Sequence, residues 1–123
     1  MKTFVAAVLL ALLPSSLDAG NLITIRVLHE KVNGQPTQTI RVTLWPDLPD
    51  RALHVSATTS DVHRASTVRM YGSESSHTYY FTWRLPPTVM RDEATEPYTV
   101  IAQTLDADGN VTGKAMTHFF VTR

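Results

Sequence analysis

The chain has 123 residues, 11 Lys plus Arg against 11 Asp plus Glu, and no cysteine. That length holds one domain with a single core. A net charge of zero excludes a nucleic-acid or anionic-membrane binder that works through a broad basic field. Without cysteine there is no disulfide framework and no catalytic thiol, so packing alone must hold the fold.

The first twenty residues read as a cleavable signal peptide. Lys2 supplies a positive start, Phe4 to Leu13 is an apolar run, and Pro14-Ser15-Ser16 breaks it before the small residues Ala19 and Gly20. Ten apolar residues at 1.5 Å each fall well short of a bilayer core of about 30 Å, so no stable membrane anchor is expected. Residues 1–20 are therefore assigned to the leader and 21–123 to the domain. Small exported animal domains usually carry disulfides, so their absence points to the periplasm or the extracellular space of a bacterium.

Residues 22–28 alternate, with Ile23, Ile25 and Val27 on one face. Asn33-Gly34-Gln35-Pro36 is turn chemistry, and residues 37–45 alternate again through Ile40, Val42 and Leu44, which predicts a hairpin. Pro46 and Pro49 end that second strand at Trp45. Residues 51–58 form a third strand with Leu53, Val55 and Ala57 inward, and the polar residues 59–66 read as a loop. Val68, Met70 and Tyr71 mark a short fourth strand. Residues 77–85 are the strongest β-former, with Tyr79, Phe81, Trp83 and Leu85 on one face and Thr78, Tyr80, Thr82 and Arg84 on the other. Residues 88–96 predict a helical turn with an incomplete capping box. Tyr98 to Val121 closes the chain as two strands joined at Asp106-Ala107-Asp108-Gly109-Asn110. Seven strands at spacings near a dozen residues predict an all-β, antiparallel sandwich.

The aromatic strand 77–85, the run Pro97-Tyr98-Thr99-Val100 and the turn 105–110 resemble the last three strands of bacterial immunoglobulin-like or fibronectin type III-like modules. That resemblance covers about half of the domain. It implies an immunoglobulin-like β-sandwich in which Tyr98 packs at a corner with its hydroxyl on nearby backbone. Val100 would then stand where antibody domains place a cysteine, and Gly109 would shape the final hairpin. The pattern departs from the family in three places: the second strand has no cysteine partner, Trp45 ends that strand instead of sitting in the third, and residues 88–97 are longer than the usual corner.

Chemistry-bearing constellations are sparse. Asp106, Asp108 and Asn110 alternate like the opening of a calcium loop, but Gly109 stands at the fourth position instead of the sixth and no acid closes the loop, so a hairpin turn is the better reading. Asn110-Val111-Thr112 is a glycosylation sequon that matters only in a eukaryotic source. His29, His54, His63, His77 and His118 lack the spacing of a local metal pair, so a copper or zinc site would have to join distant segments, for example His54 with His118. No nucleophile elbow, phosphate loop or usable carboxylate pair is present, since the adjacent Asp92 and Glu93 diverge. No catalytic residue and no cofactor is therefore assigned. Tyr80, on the face opposite Tyr79 and Phe81, is a candidate for stacking on a sugar or meeting another protein. The expectation is a non-enzymatic exported module that binds another envelope or extracellular protein through end loops or an edge strand. The alternative is a periplasmic carrier of a small ligand or of copper or zinc.

Overall fold

The computed structural model of the chain describes residues 22–32, 34–91 and 94–122. The expected leader, together with Asp92 and Glu93, lies outside the described residues. Seven long strands run in order: β1 (Ile23–Val32), β2 (Gln35–Leu44), β3 (Ala52–Thr58), β4 (His63–Arg69), β5 (Thr78–Trp83), β8 (Tyr98–Leu105) and β9 (Val111–Phe119). Two short strands, β6 (Met90–Arg91) and β7 (Ala94–Thr95), intervene between β5 and β8. The single helical turn among the described residues is a 3-10 turn at Gly72–Glu74, and no helix there is long and apolar enough to cross a membrane.

The long strands form two antiparallel sheets, β1-β2-β5 and β9-β8-β3-β4. Period-2 alternation decides what each sheet buries. On β2, Ile40, Val42 and Leu44 are fully inside, and Phe81 of β5 joins them. The facing sheet contributes Leu53, Val55 and Ala57 of β3, Tyr98, Val100 and Ala102 of β8, and Phe119 of β9. These residues make one continuous core, with Ile23, Ile25, Val27, Tyr79 and Trp83 packed at its margin. Each fully buried aliphatic side chain contributes about 1.5–3 kcal/mol, which is how a chain without cross-links holds together. The inward-facing Gln38 is a polar exception, and its Oε1 accepts from the Leu85 amide at 2.9 Å.

Three expectations need correction. The polar stretch 59–66 is not all loop, because β4 begins at His63 and pairs along its whole length with β3. β4 is an edge strand whose side chains are mostly exposed, so its sequence lacks the apolar alternation that reveals a half-buried strand. Arg64, opposite core residue Ala57, points a charge toward the inner side of that edge, a device that discourages further strand pairing. The described residues of 88–96 hold no helical turn. Met90 pairs with Thr95 and Arg91 with Ala94, and the Glu96 amide donates to the Val89 carbonyl at 3.0 Å. Tyr71 also lies outside β4, exposed at the start of the 3-10 turn.

Candidate functional site

Antiparallel pairing carries the β2–β3, β4–β5 and β8–β9 connections to the same end of the two sheets, and the chain enters β1 there too, since Ile23 pairs with Leu44. This end holds five of the nine exposed large hydrophobic residues among those described: Leu22, Trp45, Leu48, Tyr71 and Val111. Trp45, Leu48 and Tyr71 are 65%, 71% and 68% accessible, well beyond what scattered surface residues need. The Trp45 ring leans on His77 with centroids 4.6 Å apart at 58°.

The loop that presents Trp45 and Leu48 is built around Asp50, which is completely buried. Asp50 Oδ2 accepts from the Asp47 amide at 2.8 Å, closing the Asp47–Asp50 turn together with the bond from the Asp50 amide to the Asp47 carbonyl. Asp50 Oδ1 accepts from Thr112 Oγ1 at 2.6 Å, which ties the loop to β9. Thr112 Oγ1 also lies 2.8 Å from Thr104 Oγ1. A hydroxyl has one proton, so Thr112 donates to the carboxylate and accepts from Thr104. Backbone bonds complete the frame: the Gly72 amide donates to Asp50 and the Arg51 amide to Leu105, while Arg51 Nη1 reaches the Leu48 and Asp50 carbonyls.

The 3-10 turn is fitted just as closely. Gly72 has φ +66, and a Cβ there would stand 2.9 Å from the Leu48 carbonyl oxygen, so only glycine lets the two loops meet. Ser75 Oγ donates to the Gly72 carbonyl and accepts from the Tyr71 amide. Burial holds the Tyr79 phenol above its ordinary value; a hydrogen bond with Ser75 offsets part of that rise, and the Asp50 carboxylate adds to it.

The residues singled out from sequence fall as follows. Tyr98 is buried, stacks on Phe119 at 5.3 Å and 17°, and donates its hydroxyl to the Pro86 carbonyl at 2.7 Å. Burial raises its phenol above the usual value, which the charge of Arg64 partly offsets. Val100 is in the core, and Gly109 sits at φ +84 in the final turn. Asp106 Oδ1 accepts from the amides of Asp108 and Asn110, both at 2.9 Å. That carboxylate serves its own turn, while Asp108 is exposed.

His54 and His118 share the outer face of the four-stranded sheet, but two inter-strand spacings and four residues separate them, which is about 16 Å at standard sheet spacings. Each bonds a threonine of the neighbouring strand instead, His54 to Thr67 at 2.7 Å and His118 to Thr99 at 3.1 Å. His63 does the same with Thr58 at 2.8 Å. Among the described residues no group of three or more His, Cys, Asp or Glu could hold a metal ion.

Sequence reasoning missed Asp50 and the exposure of Leu48 and Tyr71. The Pro-Asp-Leu-Pro-Asp run signals a turn, yet nothing local says which aspartate goes inside, because the partner Thr112 is 62 residues away. The far end of the sheets carries a cavity of about 180 Å³ lined by Thr59, Val62, Pro86, Val89, Glu96 and Tyr98, and beside it an open groove of about 580 Å³ along Pro87, Thr88, Thr95 and Phe120. Compared with protein-family models, curated protein sequences and solved structures, the chain matches none of them.

Proposed function

We propose that this protein is an exported, non-enzymatic immunoglobulin-like module that binds another envelope or extracellular protein through the Trp45–Leu48–Tyr71 end. The observation that carries the reading is a set of large hydrophobic side chains held in water by a hydrogen-bonded frame centred on a buried carboxylate. Tryptophan and tyrosine are the residues that most often dominate protein interfaces. A frame ordered before binding avoids the entropy that a floppy loop would lose.

Strand order supports the immunoglobulin-like part of the reading. Lettered A to G, the long strands lie A-B-E against D-C-F-G, whereas the seven-stranded constant-type arrangement is A-B-E-D against C-F-G. The difference is confined to one edge strand, which pairs here with the third strand instead of the fifth. Tyr98, two residues before Val100 and bonded to upstream backbone, is in the position of the corner tyrosine of such domains. The loops at the proposed binding end correspond to B–C and F–G, both of which lie at the antigen-binding end of antibody variable domains.

The test compares the protein with a W45S/L48S/Y71S variant, each immobilised and exposed to envelope extract. The expected result is one partner captured by the parent, lost in the variant, and bound again when purified. If melting temperatures match and no captured protein depends on these residues, the proposal is wrong.

A further inference from the structure

We propose that the outer face of the β1-β2-β5 sheet binds an acidic polysaccharide, with Arg26 and Arg41 on its carboxylates and Tyr80 beneath a sugar ring. In the register of this sheet Arg26 pairs with Arg41, and Arg41 pairs with Tyr80. The outward residues of the three strands therefore form one transverse row, Arg-Arg-Tyr. Tyr80 is 63% accessible, Arg26 is exposed and Arg41 half-buried.

Like charges directly opposite each other on neighbouring strands oppose sheet formation. Among the described residues neither guanidinium makes a hydrogen bond or ion pair. Two cations with side chains roughly 5 Å apart at Cβ leave a place where one anionic group meets both. Guanidinium is the side chain best matched to a carboxylate, because it binds in a planar, two-pronged fashion.

The neighbouring rows specify the class of anion. Thr24, Thr43 and Thr78, all exposed, form the next row on one side, while on the other the buried Thr39 bonds Thr82 at 3.0 Å beside Leu28. Exposed hydroxyls thus flank the cationic row on one side, and the exposed phenol ring ends it. A sugar acid presents the matching set: a carboxylate, hydroxyls and an apolar ring face for the aromatic. Nucleic acid and anionic membrane fit less well, since both draw on a wide positive field and this chain has zero net charge. Arg26, Arg41 and Tyr80 are not among the residues proposed for protein binding, so separate variants tell the two proposals apart.

Calorimetric titration of the protein with oligogalacturonate at low and physiological salt tests the idea. Expected are saturable binding that weakens with salt, at least a tenfold loss in an R26Q/R41Q variant, and a several-fold loss in Tyr80→Ala. The W45S/L48S/Y71S variant is expected to bind as the parent does. Arg26→Gln alone is expected to melt no lower than the parent, which separates lost binding from lost folding. The proposal is overturned if the parent does not bind, or if R26Q/R41Q binds unchanged. Equal binding of a neutral oligosaccharide, polyglutamate, oligodeoxythymidylate or phosphatidylglycerol vesicles would also overturn it.

Discussion

Replacing Asp50 tests whether the exposed loop end is held by its buried carboxylate. Asp50→Ala deletes two acceptors, one serving the Asp47 amide at 2.8 Å and one serving Thr112 at 2.6 Å. Hydrogen bonds to a charged group contribute about 1.5–3 kcal/mol each. Part of that is returned because a carboxylate no longer has to be kept away from water. A net loss of about 3 kcal/mol follows, and at 4–8 °C per kcal/mol this lowers the melting temperature by about 12–24 °C. Asp50→Asn is the informative control. Its carbonyl still accepts from Asp47, and its amide donates to Thr112, whose proton then turns toward Thr104, 2.8 Å away. The chain of bonds reverses without breaking, so the loss stays near 1 kcal/mol. Thermal unfolding followed by circular dichroism measures both. A change below about 3 °C in Asp50→Ala would refute the role given to the carboxylate, and an asparagine variant as unstable as the alanine one would refute the reversible chain.

Three further outcomes follow from the same geometry. Tyr98→Phe removes the bond to Pro86 and costs about 1 kcal/mol near neutral pH, readable from urea unfolding. Because the folded Tyr98 phenol titrates above its ordinary value of 10.0, the unfolded chain loses its proton first as pH rises. Stability is therefore intact below about pH 10 and falls above it, and that slope should be shallower in Tyr98→Phe, with Tyr79 supplying the remainder. Gly72→Ala should cost more than Gly109→Ala, by about 1 kcal/mol or more in matched melts. Both residues have positive φ, but a Cβ at 72 meets backbone at 2.9 Å while one at 109 meets nothing within 4 Å. Arg26→Gln should raise the melting temperature by a few degrees at low salt, and the gain should vanish at about 1 M salt, where the opposed charges are screened.

Alternation made the core legible before any coordinates. Ile40, Val42, Leu44, Leu53, Val55 and Val100 each stand on the inward phase of a strand, and all are buried. The signal works because one face of each sheet meets the other sheet and the second meets water. It fails where that asymmetry fails. β4 lies at an edge with both faces largely exposed, so His63-Arg64-Ala65-Ser66 reads as a loop although each residue is paired with β3. The two-residue strands β6 and β7 are too short to carry any period, and the prolines around them mark only where regular structure stops.

The exposed loop end was hidden for a different reason. Trp45 and Tyr71 follow the inward residues Leu44 and Met70, so alternation gives them the outward phase, but nothing local says that they share one end of the fold. They stand in water because the connections on either side are fixed by partners distant in the chain: Asp50 by Thr112, Arg51 by Leu105, and Gly72 by Asp50. Pairwise closure of this kind leaves no local pattern. Tyr80 is the contrasting case, since its outward phase within β5 was readable and so was its exposure. Arg26 and Arg41 were equally readable as outward residues, but their apposition depends on the β1–β2 register, which alternation alone does not fix. A register slipped by two residues in either direction would keep the same faces in the core and separate the two arginines. The two surfaces open to recognition therefore rest on different information. Periodicity places the residues of the sheet face in water, and only tertiary pairing turns them, or the loop end, into a constellation.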